Sequence, residues 1–218
     1  MGQPQLSARG RFITVEGGEG AGKSTQAALL VAALARTHIA AVQTREPGGS
    51  PGAETIRELL LQGAGERWDA IGETLLFYAA RRDHVADRIG PALAGGTWVV
   101  CDRFADSTMA YQGYGRGLPL ADLRALHRFA LGDVAPDLTL ILDLPVEEGF
   151  ARAARRPGAA DRFERLDRAF HERIRAGFLA IAAAEPGRCI VVDATPDAAA
   201  VHRAIIAAVG ARFGIGFP

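Results

Sequence analysis

With 218 residues, 49% of them apolar, the chain can bury one sizeable core, and a single domain is expected. Its 25 basic residues balance 25 acidic ones, so no general field attracts nucleic acid or an anionic membrane, and any anion needs a local site. No stretch reaches the roughly 18 apolar residues of a membrane span, residues 1–10 read as a flexible extension without a signal-peptide core, and the expectation is a cytoplasmic protein.

In chain order, short apolar or β-branched runs at 11–16, 40–45, 97–102, 138–144 and 189–194 predict five strands. Between and after them, alanine- and leucine-rich stretches with helical spacing occupy 23–36, 53–61, 70–94, 119–131, 146–155, 163–184 and 197–212. Alternation of strands and helices predicts an α/β fold. Strand runs that are apolar on both faces predict a parallel five-stranded sheet flanked by helices on both sides, a three-layer arrangement. The domain spans 11–213, and the tail 214–218, with two glycines and a proline, is expected to fray. Cys101 and Cys189 are far apart at strand edges and read as buried apolar residues. The five histidines lack ligand spacing and read as surface or helix-face residues.

Such sheets carry their sites beyond the carboxyl ends of the strands, which singles out Glu16 and the loop after it, Arg45 with Glu46, Asp102 with Arg103, Asp143 and Asp193. There Gly17, Gly18, Glu19, Gly20, Ala21, Gly22, Lys23 and Ser24 fit the pattern GxxxxGK[ST], followed by Thr25, directly after a strand and before a helix. Glycines let successive N–H groups converge on phosphate oxygens, the helix adds its positive dipole end, and Ser24 supplies a hydroxyl to Mg²⁺. Lys23 is the only lysine in the chain; every other basic residue is arginine. A compact ammonium on a flexible stem can follow a migrating phosphoryl group, which a rigid guanidinium fork cannot. With the three-layer sheet the loop predicts a P-loop NTPase fold; alone it implies a nucleoside triphosphate and leaves motors, switches and kinases open.

Beyond the loop, Asp102 and Arg103 end a strand, where Arg103 can grip an acceptor phosphate bidentately and Asp102 can sit near the metal. Phe77 and Arg81, four apart, share one helix face. The segments "TREPGG" (44–49), "LLFYAARRDH" (75–84) and "CDRFADSTMAYQGYGRG" (101–117), with "EGGEGAGKST", resemble the thymidylate kinase family from about residue 11 to "VDAT" at 192–195.

That resemblance implies transfer of the ATP γ-phosphate to dTMP, with Mg²⁺, by a protein that forms a homodimer. It implies that Phe77 stacks on thymine and Arg81 bonds its carbonyl edge. Ser107, Thr108 and Gln112 become candidate base and sugar contacts, and Tyr111 crowds the ribose 2′ position. Glu19 reaches the acceptor 3′-hydroxyl, Arg45 and Glu46 border acceptor phosphate and metal, and Pro47 shapes the pocket. Some relatives carry arginine where this chain has Gly20. The missing charge is then expected from a mobile lid at about 151–164, which offers Arg152, Arg155, Arg156 and Arg162, with Arg152 and Arg156 leading. The alternatives are a kinase for another nucleoside monophosphate or a deoxynucleoside, or a nucleotide-dependent switch. The guanine-reading NKxD pattern of such switches is absent.

Overall fold

The computed structural model describes residues 9–61, 67–155, 162–163 and 166–218. The strands are β1 Phe12–Gly17, β2 Ala41–Arg45, β3 Trp98–Asp102, β4 Leu138–Asp143 and β5 Cys189–Asp193, paired in the order β2-β3-β1-β4-β5 and all parallel. The helices are α1 Lys23–Arg36, α2 Pro51–Leu61, α3 Ala70–His84, α4 Gly90–Ala94, α5 Ala105–Thr108, α6 Leu120–Leu131, α7 Val146–Ala153, α8 Arg168–Ala184 and α9 Ala198–Phe213.

Strand alternation sends successive side chains to opposite layers. Ile13, Val15, Val100, Leu140 and Leu142 pack with α1 and α9, through Leu30, Leu34, Ile205 and Val209. Phe12, Val99, Cys101 and Ile141 face the other layer, against residues such as Tyr78 of α3 and Phe178 of α8. Because both faces are covered, the central strands read as continuous apolar runs, and the three-layer expectation holds. The edge strand β2 is less buried, as its single covered flank requires.

Three differences from the sequence expectations have local causes. The long helix expected at 70–94 widens into a π-helical turn at Val85–Ile89 just before Pro91, whose ring would collide with the carbonyl four residues back. The 163–184 helix starts instead at Arg168, because the Asp167 side chain accepts from the Phe170 N–H and caps it. Residues 105–115, for which no element was expected, form α5 and a π-helical turn, Met109–Gly115.

The tail expected to fray turns back on α9, with the Ile215 N–H donating to the Gly210 carbonyl, and Ile215 and Phe217 packing on the core. Cys101 and Cys189 are buried and free. His84 and His171 are helix-face residues, as expected, but on buried faces. No helix among the described residues is long and apolar enough to cross a membrane.

Candidate active site

The carboxyl ends of β1, β2 and β3 open into a cleft of about 450 Å³. Glu19, Gly20, Gly22, Lys23, Ser24 and Thr25 line its donor side, and Phe77, Arg81, Thr108, Tyr111 and Gln112 its far side. Arg45, Glu46, Pro47, Asp102, Arg103, Ser107 and Arg152 stand between them. Nearly every residue singled out in the sequence therefore borders one space. Arg156 lies outside the described residues.

In the loop, Gly17, Gly20 and Gly22 take left-handed backbone angles that other residues rarely adopt. The Lys23 ammonium donates to the Gly18 carbonyl at 2.6 Å. Burial, and then the neighbouring Arg103, lower the lysine's pKa. Ser24 Oγ donates to Asp102 Oδ2, while Asp102 Oδ1 is buried without a hydrogen-bond partner.

Gly20 has a further constraint. A Cβ there would drive into the Gly149 carbonyl of α7, and a Cβ on Gly149 would drive into the Glu19 carbonyl. The phosphate loop and α7 meet backbone to backbone, which accounts sterically for a neutral glycine where some relatives carry arginine.

Arg103 follows β3 in a left-handed conformation, φ 70°, held by its N–H to the Val15 carbonyl. For a side chain of this size that backbone stores about 1–3 kcal/mol of strain, the kind tolerated where geometry serves a site. Its guanidinium donates to the Gly17 carbonyl (3.1 Å), to Ser107 Oγ (3.2 Å) and to Glu19 Oε1 (2.8 Å). Tyr111 donates its hydroxyl to the same Glu19 oxygen at 2.9 Å and lays its ring under the guanidinium.

Beneath this group lies Glu16, fully buried, accepting from the Phe104 N–H at 2.7 Å and from Ser107 Oγ at 2.6 Å. Burial, and then the charge of Asp106, push its carboxyl up to about 8 against the opposing effect of those bonds and of Arg103. Glu16 thus holds both the residue after Arg103 and the serine that receives its guanidinium.

Arg81 is almost wholly buried. Its Nε donates to Glu46 Oε2 at 2.6 Å, and its terminal nitrogens to Thr108 Oγ1 and the Phe104 carbonyl, both at 3.1 Å. Glu46 lines the cleft, but its other oxygen is bonded to His84 Nδ1 at 3.1 Å, and His84 Nε2 meets Thr44 Oγ1 at 2.7 Å. Its carboxylate therefore orients Arg81. Phe77 presents its ring at the cleft with Phe163 beside it, centroids 5.9 Å apart.

Arg45 donates to both oxygens of Glu54, and the Pro47 carbonyl accepts from Arg57 at 2.6 Å. Arg152, at the end of α7, donates to the Ala194 carbonyl (2.8 Å) and the Thr195 carbonyl (2.7 Å) and so spans the donor side of the cleft. Arg155 is exposed. Arg162, grouped in the sequence with the lid arginines, is buried at the opposite end, paired with Glu73. His171 meets the Phe163 carbonyl at 3.2 Å and fixes the neighbouring residue.

Glu16 stood out in the sequence only as a polar strand end, and Glu73, Arg57, Gly149 and Phe163 escaped the sequence reasoning. Glu73 carried a signal, since 73, 77 and 81 fall on one helical face.

A family model described as Thymidylate kinase matches residues 15–205. The chain belongs to the thymidylate kinase family. It is 56% identical over 207 residues to the thymidylate kinase of Caulobacter vibrioides, covering 95% of this chain and 99% of that relative. It is 56% identical to that of Nitrobacter winogradskyi, covering 94% and 90%. Among solved structures, the thymidylate kinase of Ehrlichia chaffeensis superposes with a TM-score of 0.73 at 35% identity, over 92% of this chain and 99% of that one. Membership sets aside the switch and the kinases for other acceptors.

Proposed function

We infer that the protein transfers the γ-phosphoryl group of ATP to dTMP, giving dTDP and ADP. The observation that carries the residue assignment is the shared cleft: a phosphate loop and Lys23 at one end, a ring and an oriented guanidinium at the other, and Arg103 between them. Transfer of this kind needs positioning and charge stabilisation more than acid–base chemistry, since the acceptor phosphate is already anionic. The loop N–H groups and Lys23 hold the donor phosphates, and Arg103 holds the acceptor phosphate in line with them. Phe77 stacks on thymine, Arg81 donates to a base carbonyl, and Glu19 with Tyr111 borders the deoxyribose, Tyr111 filling the space a 2′-hydroxyl would need. Arg152 supplies positive charge from the donor side, and Arg156, outside the described residues, is the second lid arginine assigned that charge.

Mg²⁺ fits the residues present. Ser24 Oγ and Asp102 adjoin, and the orphaned Asp102 Oδ1 is an oxygen in want of a cation or an ordered water. Such an ion would be held chiefly by nucleotide oxygens, with Ser24 and Asp102 as its protein partners. When bound, the ion offsets phosphate charge. The reaction belongs in the cytoplasm.

A homodimer is supported by α3 and α6, which leave Ile71, Leu75 and Phe129 exposed at 61%, 52% and 90%. Neighbouring apolar side chains so uncovered suit a second copy of the chain.

The test is ADP release with ATP and a panel of nucleoside monophosphates. Turnover with dTMP should exceed that with dCMP, dGMP and AMP by orders of magnitude. Equal rates on AMP and dTMP would overturn the assignment.

A further inference from the structure

Glu73 is fully buried on α3, one helical turn before Phe77. Its Oε1 accepts from Gln112 Nε2 at 2.8 Å. Its Oε2 accepts from Arg162, and Arg116 Nη2 stands 3.5 Å from that oxygen. An ionised carboxylate only accepts, so the Gln112 amide must turn its NH₂ toward Glu73. That leaves the amide carbonyl oxygen for the cleft that Gln112 lines, and among the described residues no donor is bonded to it.

On the same side, Arg81 keeps N–H groups beyond those it spends on Glu46, Thr108 and Phe104. The wall therefore offers a donor from Arg81 and an acceptor from Gln112. Thymine presents the complement, a carbonyl at C4 and an N–H at N3. Cytosine presents the reverse, an amino group at C4 and a bare acceptor at N3.

We propose that Glu73 is a specificity-determining positioning residue: by fixing the Gln112 amide with its oxygen toward the cleft, it makes the pocket require a pyrimidine that carries N3–H. The proposal rests on the base stacking on Phe77 with a carbonyl toward Arg81, as the proposed function has it, in the cleft that Gln112 also lines. Arg162 and Arg116 complete the device by holding the carboxylate in place. Arg162 lies just before α8, so a residue outside the base wall sets the polarity of that wall.

The experiment compares kcat/KM for dTMP and dCMP in the wild type, Glu73→Gln, Glu73→Asp and Gln112→Leu, with melting temperatures and with binding of N3-methyl-dTMP to the wild type. In Glu73→Gln the new amide can donate to the Gln112 oxygen, so the glutamine can turn and offer its NH₂ to the base. The dTMP-to-dCMP ratio should fall about 10-fold or more, because one buried hydrogen bond changes partners. Glu73→Asp keeps the charge that Arg162 requires while drawing it back from Gln112. Its ratio should fall in the same direction, and it decides the matter if Glu73→Gln does not fold. A merely structural role would lower both substrates together and leave the ratio alone.

If Gln112→Leu abolishes discrimination while both Glu73 variants keep the wild-type ratio, the amide is fixed by another group and the proposal fails. If N3-methyl-dTMP binds like dTMP and Gln112→Leu discriminates normally, the placement of the base is itself wrong.

Discussion

Replacing Gly149 by alanine separates two physical effects of opposite sign. Gly149 lies inside α7, and by helix propensity alone alanine there should stabilise the protein by about 1 kcal/mol. For a chain of this length that gain would raise Tm by about 2–4 °C. The added Cβ, however, would sit well inside 3.0 Å of the Glu19 carbonyl oxygen, a backbone atom of the phosphate loop with no rotamer to yield. Either α7 or the loop must retreat by about half an ångström or more. Overpacking of this kind costs about 1–3 kcal/mol, so the net outcome is a lowered Tm or none gained.

The larger effect falls on turnover. The displaced loop carries Glu19, bonded to Arg103 and Tyr111, and α7 carries Arg152. Misplacement by about 1 Å can cost about 10²-fold in rate, so roughly a tenfold loss of kcat is expected. Gly20→Ala strains the same contact from the other side and adds about 1–2 kcal/mol of left-handed backbone cost. Because both methyl groups relieve themselves by the same separation of loop and helix, the double variant should lose less than the sum of the singles. Thermal melts and a coupled assay of ADP release with dTMP read all three variants. If Gly149→Ala melts higher and turns over normally, the loop and α7 are not in contact and the steric account of Gly20 is wrong.

Arg103→Ala and Arg103→Gly should each lower kcat by about 10²-fold or more, since both lose the acceptor clamp, yet glycine should be the more stable by about 1–2 kcal/mol because it alone relieves the left-handed strain; equal melting temperatures would mean that the strain is absent. Glu16 has a native pKa raised from 4.5 to about 8, so the folded state keeps a proton that the unfolded state releases. Its contribution to stability is full below pH 4.5 and is lost as pH rises through about 8, and Glu16→Gln should flatten that part of the Tm–pH curve; parallel curves for variant and wild type would refute it. Combining Leu75→Glu with Phe129→Glu should convert a dimer to a monomer in sedimentation, and an unchanged mass would place any interface elsewhere.

The strands and the phosphate loop were legible because their causes are local. Ile13, Val15, Val100 and Leu140 are apolar on every face that a covered parallel strand presents, and the loop glycines stand where left-handed backbone is required. The helical pairing of Phe77 with Arg81 was equally local. What escaped depends on contacts across the chain. Glu16 stood out as a polar strand end, but its burial did not, because β3 must return beside β1 to supply the Phe104 N–H, a bond that spans 88 residues. His84 looks like any polar residue at a helix end until Thr44 and Glu46 close around it. Arg162 stands in an arginine-rich stretch whose composition suggests one solvated or phosphate-facing group, and only the fold sends it to Glu73.

These distant contacts share a feature that bears on catalysis. The described cations at the centre of the cleft already have protein acceptors: Lys23 on the Gly18 carbonyl, Arg103 on Gly17 and Glu19, Arg152 on Ala194 and Thr195. A guanidinium or ammonium held away from water without a partner would cost several kcal/mol, and these contacts remove that cost while keeping each group aimed near the phosphate path. Phosphate oxygens carry more charge than a carbonyl and form the stronger, charge-assisted bond, so under the proposed function nucleotide can displace the Gly17, Gly18, Ala194 and Thr195 carbonyls without first desolvating the protein cations, while Arg103 keeps its ion pair with Glu19. Arg81 is different in kind. Its partners Glu46, Thr108 and Phe104 lie within the protein wall, so under the proposed function Arg81 is a fixed reference for the base while Lys23, Arg103 and Arg152 exchange carbonyls for phosphate. A rigid base end and an exchangeable phosphate end are what in-line transfer needs, because the acceptor must be held still while charge migrates between donor and acceptor oxygens.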